Sequence, residues 1–400
     1  MSRGLQDLKK VQRADVYKQA QLAGHLTRLA DGSVVFTYTE QYLQESPVPV
    51  ATSLPLSDQA YAGPGGGLPA FFSGLLPEGH RLTMVRNVAK TSMADELTLL
   101  LVVGADTPGD VRILPAGDDL TAPPAVVDFS DGDELDFTQL ATSLDRHAIP
   151  GVQEKISATM LTTPLALDGD AYLLKLDPRD HPHLVSNEEL HLRAARQLKL
   201  PLMDFRKVHD SHQVDGLLIK RFDRALPMAG ASPVRYALED GMQVLDLPPS
   251  MKYSVATEEV VRALADRCKA PLLAKRNLYL QFLFAWLTGN GDLHGKNVSI
   301  LADKDHRFSI APIYDVPCTL IYGDDTMALS IGGKHKNLKQ KHWTEFAHEL
   351  GLTPKATESA NRLALRAAEH VDLAMLPFSG SPLRGTQREL RFRRLEISAT

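Results

Sequence analysis

The sequence predicts an α+β fold in which an amino-terminal subdomain of mixed helices and strands precedes a strand-rich small lobe and a mostly helical large lobe. Three observations predict it. Strand-like pieces separated by turn signals fill the first part of the chain, further strands surround one helix in the middle, and long helical patterns dominate the last part. Because 400 residues exceed what one hydrophobic core usually organises, we expect three units, at residues 1–125, 140–255 and 256–400.

The composition is that of a globular chain without a strong charge bias. Its hydrophobic content of 44% and charged content of 23% are ordinary for such proteins. The formal net charge of −5 gives no overall attraction to nucleic acid, so any contact with DNA must come from a local patch. The two cysteines, Cys268 and Cys318, cannot form a disulfide framework, which fits a reducing cytoplasm.

The sequence offers no candidate for a secretion signal or a membrane span. Residues Met1 to Lys10 are polar and lack the apolar stretch of a signal peptide. The longest apolar run, Leu278 to Leu287, is interrupted by Gln281 and is too short to cross a bilayer. It predicts a core helix that is buried on all sides, and we expect a cytoplasmic protein without membrane contact.

The amino-terminal subdomain is predicted to begin with strands and continue with helices. The pattern predicts, in order, strands at Asp15–Tyr17, Ala23–Leu26 and Ser33–Tyr38, then helices over Pro69–Lys90 and Met93–Val103. The first of these helices is broken at Gly74–Gly79. The following stretch, Gly104–Asp133, is rich in Gly, Pro and Asp and is predicted to be the first domain boundary.

The small lobe opens with a turn that leads into a strand. Gly151-Val152-Gln153-Glu154-Lys155 forms the turn, and the strand covers Ile156–Leu161. A single glycine is a weak signal for a phosphate-binding loop, because cradling phosphate requires several close backbone approaches. A plain hairpin glycine is therefore the alternative interpretation of Gly151.

The next strand, Ala171–Leu176, carries Lys175, and a lysine on a buried strand is costly unless it is paired. Nucleotide phosphate and a glutamate on a helix would satisfy it; an edge lysine that reaches into solvent is the alternative. The helix that follows is predicted to begin at Ser186, because Ser186 and Glu189 form a capping-box pattern. That gives Glu189 a structural role and leaves Glu188 as the candidate partner of Lys175.

A further strand, Leu217–Arg224, includes Lys220 and Arg221 and ends in the charged residues Asp223 and Arg224. In a two-lobed nucleotide-binding protein, this position would offer backbone hydrogen bonds to a base. The alternative for Arg221, Asp223 and Arg224 is a solvated surface pair, usually worth under about 1 kcal/mol.

The large lobe is predicted to be helical and ends in a cluster of arginines. The helical candidates are Thr257–Cys268, Lys275–Leu287, Asn337–Leu350 and Pro354–Leu376. Five arginines lie between Arg384 and Arg394. Such a run is usually a solvated helix face, and a patch that contacts phosphate is the alternative.

The most informative stretch, Gly289 to Ile300, follows the buried helix of the large lobe. Asp292 is followed five residues later by Asn297, and Asp315 comes 18 residues after that, near the end of a strand. This is the spacing of a kinase catalytic loop and its metal-binding aspartate. The Gly-Asn-Gly-Asp tetrapeptide alone would be ordinary turn composition, but the ordered set predicts phosphoryl transfer and hence a two-lobed protein-kinase-like fold.

These motifs together resemble the HipA family, the serine/threonine kinases of bacterial toxin–antitoxin modules. The resemblance covers nearly the whole chain. The stretches that carry it are Leu75–Gly79, Gly151–Lys155, Leu173–Leu176, Arg221–Arg224, Glu239–Asp240, Lys252–Tyr253, Gly291–Asn297 and Tyr314–Asp315. The family also implies an amino-terminal subdomain like the one predicted here.

The resemblance implies a role for each motif. Asp292 would be the catalytic base, and Asn297 and Asp315 would bind Mg²⁺. Lys175 would contact the phosphates of ATP. The other implied nucleotide-binding positions are Gly151, Val152, Gln153, Lys155, Glu188, Lys220, Arg221 and Phe222. His294 and Lys296 would shape the catalytic loop; a turn residue bonded to backbone is the alternative for His294.

The resemblance also implies partners and a substrate. The family transfers the γ-phosphoryl group of ATP to a protein serine, with an aminoacyl-tRNA synthetase as the expected kind of substrate. It implies a helix-turn-helix antitoxin of the HipB type, which would carry most of the contact with operator DNA. Members commonly have an autophosphorylated serine three residues before the nucleotide-loop glycine, but here that position is Ala148, which has no hydroxyl. Phosphorylation at that position is therefore excluded.

Two other functions fit the same residues. A small-molecule phosphotransferase would use the same Asp/Asn/Asp set, because the set acts on phosphate rather than on the acceptor. A catalytically silent module that sequesters a DNA-binding partner is the other alternative, although such a module would be free to lose Lys175, Asp292, Asn297 and Asp315.

Overall fold

The computed structural model describes residues 5–45, 48–120, 136–138, 161–167, 170–178, 181–225 and 234–398. Residue Ala148, the turn Gly151–Lys155 and most of the strand predicted at Ile156–Leu161 lie outside the described residues. Within them, the protein has the predicted α+β organisation, with antiparallel sheets in the first two units and helices in the third.

The amino-terminal subdomain is built on a five-stranded antiparallel sheet with the order β4-β3-β2-β1-β5. Its strands are β1 (Arg13–Lys18), β2 (Gln21–Arg28), β3 (Val34–Tyr38), β4 (Tyr61–Ala62) and β5 (Val111–Pro115). The three predicted strands are confirmed. The predicted boundary at Gly104–Asp133 is wrong in its first part, because alternating apolar residues there form β5, which pairs with β1 and completes the sheet.

Helices cover this sheet and reach towards the rest of the molecule. They are α1 (Glu40–Glu45), α2 (Ala70–Gly74), α3 (Gly79–Ala89) and α4 (Glu96–Val103). The break between α2 and α3 falls where the sequence predicts it, and Asp95 caps α4 by accepting the backbone N–H of Thr98. Phe72 on α2 packs against Phe36 of β3 in the subdomain core, with ring centroids 5.1 Å apart.

The small lobe contains a four-stranded antiparallel sheet with the order β6-β7-β9-β8 and one long helix. The elements are β6 (Leu161–Leu167), β7 (Asp170–Leu176), α5 (Leu184–Ala195), β8 (Phe205–His209) and β9 (Asp215–Lys220). A short pair, β10 (Arg224–Ala225) and β11 (Val234–Arg235), follows, then β12 (Leu238–Asp240) and α6 (Gly241–Val244).

The capping box predicted at Ser186 and Glu189 is wrong, because α5 begins two residues earlier, at Leu184. The carboxylate of Asp177 accepts the backbone N–H groups of His183 at 2.8 Å and of Val185 at 2.7 Å. Ser186 lies within the first turn, where its hydroxyl donates to Asp215. A residue from the preceding strand end thus provides the cap, which a local sequence pattern does not reveal.

The large lobe is helical around one long buried helix. Its elements are α7 (Thr257–Arg267), α8 (Pro271–Thr288), β13 (Ser299–Ala302), β14 (Phe308–Ile310), α9 (Gln340–Glu349), α10 (Pro354–Glu369) and α11 (Gly380–Ser398). Helix α8 is buried on all sides from Leu278 to Thr288, as predicted. No helix among the described residues has the length and apolar character needed to traverse a lipid bilayer.

The arginine-rich tail forms α11, but it is not simply a solvated face. Arg393 is only 5% exposed. Its guanidinium lies 3.7 Å from the ring centroid of Trp286 and donates to the carbonyl oxygens of Trp286 and Asp325. The expectation of a fully solvated helix face is therefore wrong at Arg393, which fastens α11 to the end of α8.

Candidate active site

Three charged side chains from three elements meet between the small and large lobes. Strand β7 presents Lys175, α5 presents Glu188, and Asp315 follows β14 on a turn with a left-handed φ of 56°. The ammonium of Lys175 lies 2.8 Å from each carboxylate oxygen of Glu188 and 3.0 Å from Oδ1 of Asp315. The predicted pairing of Lys175 with Glu188 is present, and the solvent-reaching alternative for Lys175 is wrong.

Burial and charge act on this cluster in opposite directions. Burial alone would lower the pKa of Lys175, but the carboxylates of Asp315 and Glu188 outweigh it and raise that pKa above its ordinary value. Burial also raises the pKa of Glu188, which is fully enclosed, and the nearby ammonium of Lys175 offsets only part of this rise. One cation facing two carboxylates leaves the cluster with an excess of oxygen ligands, an arrangement suited to a metal ion.

The predicted catalytic loop, Gly289 to Ile300, lies directly after α8 and is fixed by its own side chains. Gly289 ends the helix in the left-handed conformation, with φ of 76°. Asn290 accepts the backbone N–H of Asp292 through Oδ1 at 2.9 Å, and its Nδ2 donates to the carbonyl oxygen of Asp315 at 3.4 Å. Asn297 donates from Nδ2 to the carbonyl oxygen of Asp292 at 2.9 Å. Asn290 thus links the two acidic motifs, a role that sequence reasoning did not assign.

Tyr253 is a second residue that sequence reasoning misses as a site residue. Its hydroxyl donates to Oδ1 of Asp292 at 2.9 Å, and burial together with the Asp292 charge raises the pKa of this phenol. Its ring packs edge-on against His294, with centroids 5.1 Å apart. The Lys252-Tyr253 segment stands out in the sequence only through the family resemblance, and no periodicity points to this contact.

His294 and Lys296 hold the loop in shape. Nδ1 of His294 accepts the backbone N–H of Lys296 at 3.2 Å, as in the alternative of a turn residue bonded to backbone. The ammonium of Lys296 lies 2.9 Å from Oδ2 of Asp240 and 2.8 Å from the carbonyl oxygen of Gly74 in the amino-terminal subdomain. Burial would lower the pKa of Lys296, but the charge of Asp240 raises it overall. Lys296 therefore joins the catalytic loop to another unit of the protein.

The predicted base-binding strand leads into a buried ion network rather than a surface pair. Arg221 donates to both carboxylate oxygens of Asp223 and to Asp106 of the amino-terminal subdomain, and Arg224 contacts the same two aspartates. Both arginine side chains are only 8% exposed. The solvated-pair interpretation is therefore wrong. The network lowers the pKa of Asp106 to about 2, because the arginine charges outweigh its burial.

A cavity of about 400 Å³ opens where the three units meet. It brings together many of the sequence-predicted residues, namely Lys175, Lys220, Arg221, Phe222, Lys296, Asn297 and Asp315. Phe222 and Tyr314 face each other there, with ring centroids 5.8 Å apart. Glu188, Asp292 and His294 do not line this cavity within the described part of the chain, and Glu188 touches it only through Lys175.

A second cavity of about 730 Å³ adjoins the first. Leu76, Pro77 and Glu78 line both cavities, so the break between α2 and α3 forms the wall between them. Tyr253 lines the second cavity and donates to Asp292, which is 1% exposed. Asp292 is thus linked through Tyr253 to the second cavity, whereas the Lys175 cluster borders the first.

Arg81, on the first turn of α3, is a further lining residue that sequence reasoning misses. It comes two residues after the Leu75–Gly79 motif, and that proximity is the only sequence signal for it. Within the described residues it forms no ion pair or hydrogen bond, whereas Lys175, Lys296 and Arg221 are each held by carboxylates. Burial and the charge of Arg221 lower its pKa. An anionic ligand would satisfy it.

The oxygen atoms around the first cavity fit a bound magnesium ion. Asp315 offers a carboxylate and Asn297 an amide oxygen, and Mg²⁺ in such sites takes one or two protein ligands together with substrate phosphates and water. The described residues contain no group of three or more His, Cys, Asp or Glu side chains that could hold a metal by themselves. The donor set thus fits an ion shared with a phosphate-bearing ligand rather than a closed structural site.

Family models match both the amino-terminal and the carboxy-terminal part of the chain. The family model described as the HipA N-terminal domain matches residues 14–114, and the one described as the HipA-like C-terminal domain matches residues 147–371. Y4dM of Sinorhizobium fredii, provisionally named a kinase, is 30% identical, covering 91% of this chain and 90% of that protein. The serine/threonine-protein kinase toxin HipA of Shewanella oneidensis is 25% identical over 74% of this chain and 72% of its own.

A solved structure shares the fold. It is the complex of Shewanella oneidensis HipA with HipB and operator DNA, and its matching chain superposes with a TM-score of 0.76, covering 96% of both chains at 22% identity. This match shows the two-lobed kinase-like arrangement together with the amino-terminal subdomain.

Proposed function

Because the chain belongs to the HipA family, with both its amino-terminal and carboxy-terminal domains, we propose that it is an ATP-dependent serine/threonine protein kinase. The observation that carries this proposal is the buried cluster of Lys175, Glu188 and Asp315 at the cavity wall. A lysine held by a helix glutamate beside a metal-ligand aspartate is the arrangement that protein kinases use for phosphoryl transfer.

Each residue of the site has a role in the proposed reaction. Lys175, oriented by Glu188, binds the phosphates of ATP. Asp292 accepts the proton of the acceptor hydroxyl, whose oxygen forms a new bond to the γ-phosphorus. The bond between that phosphorus and the bridging oxygen breaks, and ADP leaves with the electron pair. Asn297 and Asp315 would hold Mg²⁺, which when bound neutralises phosphate charge.

Catalysis on this account is mostly positioning, because the residues move only one proton. Tyr253 fixes the carboxylate of Asp292 through its hydrogen bond, and Asn290 fixes the backbone of the same residue. The two cavities on either side of Leu76–Glu78 give the nucleotide and the acceptor separate approaches. Precise placement of this kind contributes much of the rate of phosphoryl transfer.

We further propose that the chain is the toxin of a toxin–antitoxin pair. In the matching Shewanella structure, HipA forms a complex with HipB and operator DNA. By analogy, this chain would bind a helix-turn-helix antitoxin and approach operator DNA mainly through it, which suits a net charge of −5. Its protein substrate would be an aminoacyl-tRNA synthetase, whose phosphorylation would inhibit translation.

A labelling experiment tests the proposed activity. The purified chain, its Asp292→Asn variant and the surface control Asp303→Asn are each incubated with γ-labelled ATP, Mg²⁺ and a soluble bacterial protein extract. We expect label on serine or threonine of a protein with the parent and the control, and a loss of several orders of magnitude with Asp292→Asn.

Other outcomes of that experiment identify the rival functions. Label only in small solutes would contradict the protein-kinase proposal and support a small-molecule phosphotransferase. Absence of any ATP turnover, with tight binding of a co-expressed DNA-binding partner, would support a silent binding module. Parental activity in Asp292→Asn would contradict the assignment of Asp292 as the base.

A further inference from the structure

Asn187 joins two parts of the proposed active site through a pair of hydrogen bonds. It lies on α5 immediately before Glu188. Its Nδ2 donates to the carbonyl oxygen of Cys318 at 2.9 Å, and its Oδ1 accepts the backbone N–H of Cys318 at 2.9 Å. Both residues are fully buried, so water cannot replace either bond while α5 stays in place.

The chemistry of this contact explains why the position holds an asparagine. The backbone of Cys318 presents one donor and one acceptor to α5, and the amide of Asn187, which has an acceptor oxygen and a donor nitrogen side by side, satisfies both at once. A leucine of similar size would leave the N–H and the carbonyl oxygen of Cys318 buried without partners, which is costly. A purely apolar helix contact would fill the space but would not fix the position of α5 along the segment.

The segment that Asn187 contacts is also tied to the catalytic loop. Cys318 lies three residues after Asp315, and the next residue, Thr319, donates its backbone N–H to the carbonyl oxygen of Gly289 at 2.9 Å. The hydroxyl of Thr319 accepts the backbone N–H of Gly291 at 2.7 Å. Residues 315–319 therefore contact α5 on one side and the loop that carries Asp292 on the other.

We propose that Asn187 is a positioning residue for phosphoryl transfer, an inference that rests on the proposed kinase function. It sets the distance between Glu188 and Asp315, and through them the position of the Lys175 ammonium. Helix α5 cannot move away from Asp315 without breaking both bonds to Cys318. Lys175, Glu188 and Asp315 are thus held together before any ligand binds. Moving α5 outward is therefore an unfavourable way to switch the activity of this chain.

Replacement of Asn187 by leucine tests the proposal directly. We expect Asn187→Leu to lower kcat/KM for transfer from ATP by about tenfold to hundredfold, because small misplacements of reacting groups have effects of that size. The KM for ATP should rise as well, since Lys175 loses its fixed position. The backbone amide of Cys318 should lose its protection in hydrogen exchange, a readout that does not depend on activity.

Cys318→Ala is the matched control, because it changes the side chain at the same place while leaving both backbone hydrogen bonds intact. It should keep the protection of its amide and lose far less of kcat/KM than Asn187→Leu. Equal losses in Asn187→Leu and Cys318→Ala would contradict the proposal, because local packing would then explain both. Parental kinetics in Asn187→Leu would contradict it too.

A double-mutant cycle shows whether Asn187 acts through Glu188. If it does, adding Asn187→Leu to Glu188→Gln should lower the rate little further, since the oriented carboxylate is already lost. If the two substitutions lower the rate independently, so that their fold-losses multiply in the double variant, the proposal is overturned. If the parent itself transfers no phosphate, the proposed function fails, and hydrogen exchange at Cys318 still decides whether Asn187 holds this segment.

Discussion

Two buried lysines line the same cavity, and they have different kinds of partner. Lys175 is held by two carboxylates, Glu188 and Asp315, both of which belong to the predicted catalytic machinery. Lys296 is held by one carboxylate, Asp240, and by the backbone carbonyl of Gly74 in the amino-terminal subdomain. The first lysine thus lies among groups that we propose to bind ligands, and the second connects two units of the protein.

The two sites differ in the charge that remains unpaired after each lysine has bound its partners. Around Lys175 one positive charge faces two negative ones, which leaves capacity for a metal ion. Around Lys296 one positive charge faces one negative charge and a carbonyl, so the charges balance. The burial of a lysine therefore says little about its function. The charge of its partners is more informative, because it distinguishes a site that can bind a further ion from a purely structural contact.

Replacing each lysine in turn should separate the two roles, and the largest effect is expected at Lys175. Lys175→Met removes the cation that contacts phosphate and should lower the rate of phosphoryl transfer roughly a thousandfold or more. The measurement is single-turnover transfer from ATP. Lys207→Met serves as control, because Lys207 lies on the same sheet but contacts the half-buried Asp215 and the Ser186 hydroxyl rather than Glu188 or Asp315. Comparable rates in Lys175→Met and the control would contradict the comparison.

Lys296→Met should act mainly on stability. It leaves Asp240 and the carbonyl oxygen of Gly74 buried without their cation, and breaking a buried pair on one side costs about 3–5 kcal/mol. Urea unfolding measures this loss, and hydrogen exchange should quicken in α2, where Gly74 lies. If the variant unfolds at the parental urea concentration, Lys296 does not join the two units as described.

Lowering the pH should destabilise the fold through His191, which lies on the same helix as Glu188. Burial lowers the pKa of His191 on α5 to about 4, below its ordinary value of 6.5. Neutral His191 therefore stabilises the fold fully above pH 6.5, and this stabilisation is lost as the pH falls from 6.5 through 4, by up to about 3 kcal/mol.

The comparison of parent and His191→Gln isolates this effect, because other titrating groups are common to both. We expect the free energy of unfolding of the parent to fall more steeply between pH 6.5 and 4 than that of the variant. The free energy of unfolding is measured by urea titration at each pH. If it falls equally steeply with pH in both proteins, His191 does not remain neutral in the folded protein.

Tyr253 gives the smallest expected effect. Tyr253→Phe removes the hydroxyl that donates to Asp292, and a hydrogen bond to a charged group is worth about 1.5–3 kcal/mol, so kcat should fall about tenfold to a hundredfold. The KM for ATP should stay unchanged, because Tyr253 does not line the first cavity, where we propose that the nucleotide binds. Tyr279→Phe, which removes a hydroxyl bonded to Asn361 in the helical lobe, is the control. A changed KM with unchanged kcat would contradict this role.

The comparison of the two lysines also shows what a sequence can reveal. The demand of Lys175 for a partner on the next helix followed from local reasoning, because strand and helix are neighbours in the chain. The choice of Glu188 over Glu189 was correct, but it rested on a capping box that the structure does not contain. The contact between Lys296 and Gly74 joins residues 222 positions apart, and no local pattern encodes it. The same holds for the Asp177 cap on α5 and for Arg393 on Trp286, where a tertiary partner overrides the expectation from the segment alone.

The Mg²⁺ dependence of nucleotide binding tests the central claim most directly. Calorimetry with a non-hydrolysable ATP analogue should show tighter binding with Mg²⁺ than without it in the parent and in Asp292→Asn. The gain should disappear in Asp315→Ala, which removes the proposed ligand. If Mg²⁺ makes no difference to the parent, or strengthens binding equally in Asp315→Ala, then Asp315 does not hold a metal ion against the phosphates and the account is wrong.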